Sequence, residues 1–182
     1  MSSSVDAARV RRIAHSVNRF VIEVDDTFDN VRHRFEELVP DIDFAVLAEI
    51  IKAGDLDAVK RYTAERTPNS FANFWTFNPT AMMKLRGNST RAVTYMVGNN
   101  VIAETMFRHD AGVMLYAPIR VAFYTDAEGR TFLSVDQPST RFGSFGNPEI
   151  AAVGMFLDEK LAVVLGLLGV PVPIELTPPN PA

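Results

Sequence analysis

Three histidines are the only imidazoles in this chain, and it has no cysteine at all. Thiol nucleophiles, thiolate metal sites and disulfides are therefore excluded. His109 has the setting that proton transfer favours: Arg108-His109-Asp110 closes a short predicted helix and precedes an apolar segment, so the imidazole stands at an element's end. Paired with Asp136, at the end of a later predicted strand, it would make an acid-base couple of the lyase, isomerase or hydrolase type. Arg120 or Arg141 would then hold an anionic group of the substrate. The simpler account is that Asp110 caps a turn and His109 is a loop residue, because one histidine brings no second partner. His33 sits between two arginines, off an apolar helix face, and His15 lies near the entry to the first predicted strand. No HxxxH, HxH or clustered acidic pattern makes a metal site.

The run Asp136-Gln137-Pro138-Ser139-Thr140-Arg141 leads into Gly143-Ser144-Phe145-Gly146-Asn147 at a helix start. Backbone amides there, with Arg141, would suit an anion or a carboxylate. Ordinary capping explains them more cheaply, since the glycines match neither a phosphate loop nor a dinucleotide fingerprint. Ser144 is not in the G-x-S-x-G arrangement of a nucleophile elbow.

A third set is apolar: Phe74, Trp75, Phe77, Met82, Met83, Tyr95, Met96, Met106, Met114 and Tyr116. Taken singly, such residues belong to a core. As a group, joined by Arg108, they would bind a small apolar ligand or cofactor in a pocket. Haem is one version of this, with His109 as axial ligand.

These residues need elements to hold them. Phe20, Ile22 and Val24 alternate with polar residues, predicting a strand over Val17 to Val24, and Phe28, Val31, Phe35 and Leu38 follow at helical spacing. Phe44, Leu47, Ile50 and Ile51 predict a second helix ending near Gly54, and residues 55–66 a shorter one. Strands are predicted over Phe71 to Phe77, Arg91 to Val97, Val113 to Tyr124 (bent at Pro118) and Thr131 to Val135, with a short helix over Val101 to Phe107. Asp126-Ala127-Glu128-Gly129 joins the last two strands as a hairpin. The clearest element is a long helix from Pro148 to Leu168, announced by Asn147-Pro148-Glu149 and carrying one broad apolar face. Residues 171–182 are rich in proline and are expected to form a loose tail.

At 182 residues and 47% hydrophobic, the chain has the size and apolar content of one ordinary packed domain, here residues 1–170. The net charge of −4 gives no general attraction to nucleic acid or an anionic membrane, although Arg9, Arg11 and Arg12 cluster locally. No apolar run approaches the ~20 residues of a membrane span. Residues 1–12 lack the apolar segment of a secretory leader, so a cytoplasmic location is expected.

Val97-Gly98-Asn99 before a helix, Ala117-Pro118-Ile119-Arg120-Val121 opening a strand, the hairpin with Asp126 and Gly129, and Val135-Asp136-Gln137-Pro138 before the closing helix form a recognisable series. The stretch from Tyr95 to Leu168 carrying them resembles the bacterial and archaeal domain-of-unknown-function 302 family. The strand and helix of residues 17–38 fit that family's opening. The resemblance implies an α+β fold, an antiparallel sheet in β-α-β(4)-α order related to TATA-binding-protein-like domains, with helices on one face. It implies frequent dimers and no agreed activity. Here the pattern is extended by a helical insert at about 41–67. The uncovered sheet face is expected to carry Arg91, Val93 and Tyr95, with Arg120, Tyr124, Phe132 and Ser134, and to pair with a second copy as a homodimer. The function expected is a non-catalytic module binding a small, largely apolar ligand or cofactor under the closing helix.

Overall fold

The structure, a computed structural model, describes residues 10–177. Arg9 of the arginine cluster and the final prolines, Pro178, Pro179 and Pro181, lie outside the described residues. Five strands, β1 (Arg19–Val24), β2 (Ala72–Phe77), β3 (Ala92–Gly98), β4 (Ile119–Thr125) and β5 (Thr131–Asp136), form one antiparallel sheet in the order β1-β5-β4-β3-β2. Among the described residues seven α-helices accompany it: α1 (Phe28–Leu38), α2 (Phe44–Ala53), α3 (Leu56–Arg66), α4 (Thr80–Lys84), α5 (Asn100–Phe107), α6 (Pro138–Phe142) and α7 (Pro148–Leu168). The fold is the expected α+β arrangement. None of these helices is long and apolar enough to cross a membrane.

Local chemistry sets the helix ends. Thr27, Asp43, Asp55, Asn99 and Asn147 each accept hydrogen bonds from first-turn amides of the helix that follows, which satisfies donors that have no partner within the helix. Gly169, at φ 78°, closes α7 in the left-handed region, where a side chain would be strained. Along β3 the residues Val93, Tyr95 and Val97 are buried while their neighbours are not, so the alternation seen in the sequence holds. These residues join Ile22, Val121, Phe123, Leu133 and Val135 beneath Phe28, Val31 and Phe35 of α1 and Ile150, Leu161, Val164 and Leu165 of α7, forming the main core. Helices α2 and α3 stand apart on a small cluster of Ile42, Leu47 and Ala72. Of the apolar series expected for α2, Leu47 is buried but Phe44 and Ile51 are exposed.

Four expectations need correction. Arg91, Val93 and Tyr95 do share a face, but it is the helix-covered one: Arg91 stacks over Phe28, its guanidinium 4.3 Å from the ring, and pairs with Asp29 of α1. The uncovered face is built in rows. Arg19 opposes Asp136, Arg120 opposes Met96, and Met96 opposes Trp75. The next row runs Val21, Ser134, Ala122, Thr94 and Phe77, and a third Glu23, Phe132, Tyr124 and Ala92. Second, residues 113–118 are no strand: Ala111–Leu115 is a 3-10 turn capped by Asp110, and the Ala117-Pro118 bond is cis. Third, the residues after Asp136, read from the sequence as capping before the long helix, form a helix of their own, α6, and a 3-10 turn at Gly143–Phe145. Fourth, the proline-rich segment is packed through residue 176. Leu176 is buried, and the Glu175 carbonyl accepts a hydrogen bond from the Gln137 side chain.

Candidate functional site

Two hollows flank one stretch of backbone, residues 114–119. On the core side lies an apolar cavity of about 140 Å³. Phe71, Val97, Ile102, Met106, Phe142 and Leu157 form much of its wall. Met106 is buried and Met114 half exposed, so Met114 stands at the rim. Asn99 and Asn100 supply polar groups to the lining. The Asn99 Oδ1 is already committed, accepting from the amides of Val101 and Ile102, while its Nδ2 donates to Thr67 and to the Ser70 carbonyl. Apart from Asn100, what remains inside is mostly carbon. A cavity of this kind takes a ligand by dispersion and desolvation, with little directional demand.

On the uncovered face lies a polar cleft of about 260 Å³, lined by Arg120, Arg141, Asp136 and Tyr116 over an apolar floor that includes Met96 and Ile119. Arg141 of α6 reaches back five residues, its Nε 3.1 Å and Nη2 2.5 Å from one oxygen of Asp136. Its guanidinium also lies 5.0 Å from the centre of the Tyr116 ring. The hydrogen bond with Asp136 raises the pKa of Arg141 further above its ordinary value, so the cation is fixed at any working pH.

A buried polar network holds this end of the sheet. Gln137 donates from Nε2 to Asp158 of α7 at 2.8 Å, and its Oε1 accepts from Asn18 at 2.8 Å. The second Asp158 oxygen accepts from the Ser139 amide at 2.9 Å, satisfying the start of α6. Asp136 and Gln137 thus face opposite ways: one carboxylate serves the cleft, and the next side chain anchors α7. Arg141 is positioned by both, through its bond to Asp136 and through the helix that Asp158 caps.

The residues predicted from sequence are divided among several places. Met106 and Met114 line the apolar cavity; Tyr116, Arg120, Asp136 and Arg141 line the cleft. His109 lies in the exposed turn after α5 and lines neither, so the structure does not bring it to Asp136. Arg108 is exposed and pairs with Glu104 one turn back. Trp75 is half exposed on the uncovered face, stacked on Phe77 with centroids 5.5 Å apart. Tyr95 is wholly buried and spends its hydroxyl on Glu36, at 2.7 Å. Haem does not fit these surroundings, because the cavity is far smaller than a porphyrin and His109 is not on its wall. Among the described residues no group of three or more acidic or histidine side chains gathers to hold a metal ion.

Sequence reasoning passed over His15, whose Nε2 lies 3.4 Å from the Tyr116 hydroxyl beside the cleft. No local signal announces that contact, since its partner is 101 residues away. Asn99, Leu157 and Phe142 were also not singled out as lining residues. Asn99 reads as a cap and the other two as core, and each is that as well.

Comparison with known proteins agrees with this architecture. No curated protein is similar enough to this chain to match it. A solved structure, that of an uncharacterized conserved DUF302 protein from Bacillus stearothermophilus, superposes with a TM-score of 0.60 at 17% identity, covering 82% of this chain and 97% of that one. At that identity the likeness is one of fold. The family described as domain of unknown function DUF302 matches residues 53–167, a span that runs from the end of α2 to the end of α7 and takes in both hollows. It begins before α3, so the second helix of the expected insert falls inside the matched region. This chain belongs to the DUF302 family.

Proposed function

We propose that the protein is a non-catalytic module that holds a small, largely apolar ligand in the cavity bounded by α5, α7 and the adjoining ends of β3 and β4. The observation that carries this reading is the cavity itself, about 140 Å³ with walls that are mostly carbon, Asn99 and Asn100 being its polar residues. Well-packed interiors contain few voids larger than a water molecule. An enclosed apolar cavity of about 150 Å³ stays dry and takes up benzene or xenon; this one has a similar volume and opens to solvent past Met114. The occupant is therefore of benzene to toluene size, or the end of a longer chain entering past Met114.

Toluene is the direct probe. Saturating toluene should raise the thermal midpoint of the wild-type protein. It should do nothing for Ala103→Leu, which puts more carbon on the cavity wall. A wild-type midpoint that ignores toluene and similar apolar probes would end this reading. The homodimer expected from the sequence stands as a proposal for the uncovered sheet face. Sedimentation velocity across a range of concentrations tests it, and a monomer throughout would sink it.

A further inference from the structure

We infer that the cleft on the uncovered sheet face is a second, chemically distinct site, which binds a small organic carboxylate. The inference does not rest on the apolar cavity, because the two hollows lie on opposite sides of the 114–119 backbone.

Two guanidinium side chains, those of Arg120 and Arg141, line this cleft with one carboxylate, Asp136, and Arg19 stands at the neighbouring register position on β1. Arg19 opposes Asp136 directly across the β1–β5 pair. Arg120 sits on β4, whose Val121 pairs with Val135 of β5, so the next position brings Arg120 beside Asp136. Arg141 is bound to Asp136. Among the described residues Asp136 makes one ion pair, with Arg141, and neither Arg19 nor Arg120 makes any. The site therefore keeps an excess of positive charge in a concave place, on a chain whose net charge is −4. Facing it are the Tyr116 hydroxyl and, behind that, His15. The nearest opposing acid along β1 is Glu23, two rows away on the sheet.

The chemistry of the lining selects the ligand class. A guanidinium presents a planar fork of N–H donors that matches a carboxylate two bonds at a time, and Arg120 has its whole fork free. Met96, Leu115, Pro118, Ile119 and Pro138 cover the rest of the wall, so an ion with an apolar body fits better than a bare inorganic anion. Asp136 opposes a dianion by charge, and a monoanion meets less of that repulsion. Arg141 cannot swing away without abandoning Asp136, so it acts as the fixed cation and Arg120 as the one that closes on the ligand.

Benzoate is the probe, with benzamide as its uncharged counterpart and inorganic phosphate as the competing anion. Titration followed by amide chemical shifts should show benzoate perturbing residues 115–120 and 136–141, with benzamide far weaker. Arg120→Gln should weaken benzoate by about tenfold or more, the loss of charge-assisted hydrogen bonds. Arg120 is exposed, and an unchanged thermal midpoint of Arg120→Gln will show that the fold is intact. Ala103→Leu, which blocks the apolar cavity, should leave benzoate binding as it was, so failure of the cavity reading and failure of this one give different results. Equal binding of benzoate to wild type and Arg120→Gln would overturn the inference. So would benzamide binding as tightly as benzoate, or phosphate displacing benzoate at equal concentration.

Discussion

The side-chain amide of Gln137 donates to the carboxylate of Asp158 across 21 residues of sequence, with both side chains buried. Among the described residues no cation pairs with the carboxylate: its partners are this amide and the backbone N–H of Ser139. Removing the amide strands a charged group in the interior, where lost partners cost more than formed bonds gain. Gln137→Ala should lower stability by about 3 kcal/mol in urea denaturation. A change within about 0.5 kcal/mol would mean that water reaches Asp158 freely.

Gly154 packs α7 against α6. A methyl group there would lie 3.0 Å from the Cα of Ser139 and 3.1 Å from the Cβ of Phe142, and the first of these is backbone, which gives little. Alanine gains up to about 1 kcal/mol over glycine inside a helix, whereas overpacking costs about 1–3 kcal/mol. Gly154→Ala is therefore expected to be net destabilising, and calorimetry should show a lower midpoint. A raised midpoint would mean that α6 can slide.

Tyr95 sets a limit at high pH. Burial, followed by its hydrogen bond to Glu36, raises its pKa well above the ordinary tyrosine value of 10.0. Its contribution to stability is complete below pH 10 and is lost as pH rises toward the raised value, because the unfolded chain ionises first. Of the four tyrosines, Tyr95 should appear in the phenolate absorption only together with loss of the circular dichroism of the fold. If all four ionise while the fold persists, this burial is wrong.

The acid limit has its own group. The guanidinium of Arg34, then the Asn30 side chain and the Thr27 amide, hold the Asp26 carboxyl down at about 2, from an ordinary 3.8. A depressed carboxylate stabilises fully above its unfolded pKa and loses that contribution as pH falls from about 4 through 2. Arg34 also donates to the Leu168 carbonyl at 3.4 Å, so the same cation ties α1 to the end of α7. Asp26→Asn should flatten acid unfolding between pH 4 and 2, and an unaltered acid profile would show that the pair contributes nothing there.

How far the sequence carried these conclusions depended on whether each signal was local. Asn147-Pro148-Glu149 marks the start of α7 because capping is decided within one turn. Alternation in β3 correctly separates Val93, Tyr95 and Val97 from Thr94 and Met96. It leaves open which set meets the helices, since Trp75, Phe77 and Met96 make the other face nearly as apolar. Val113, Leu115 and Ala117 alternate like a strand, yet Asp110 accepts the Gly112 amide and turns the chain into a 3-10 coil instead. The cleft was half legible: Tyr116, Arg120, Asp136 and Arg141 were named, but as parts of separate ideas. His15 reaches Tyr116 only through the tertiary fold.

The backbone from Met114 to Ile119 is the party wall between an oily chamber and a charged one, with Pro118 and Ile119 bordering both. A wall that holds still leaves the two chambers independent, as the Ala103→Leu test expects; were it displaced to widen one chamber, it would narrow the other. Two occupants would then be linked, and any factor by which toluene changes benzoate affinity must be matched by benzoate acting on toluene. A single thermodynamic box, filled by titrating each compound with and without the other, reports how stiff that thin partition is.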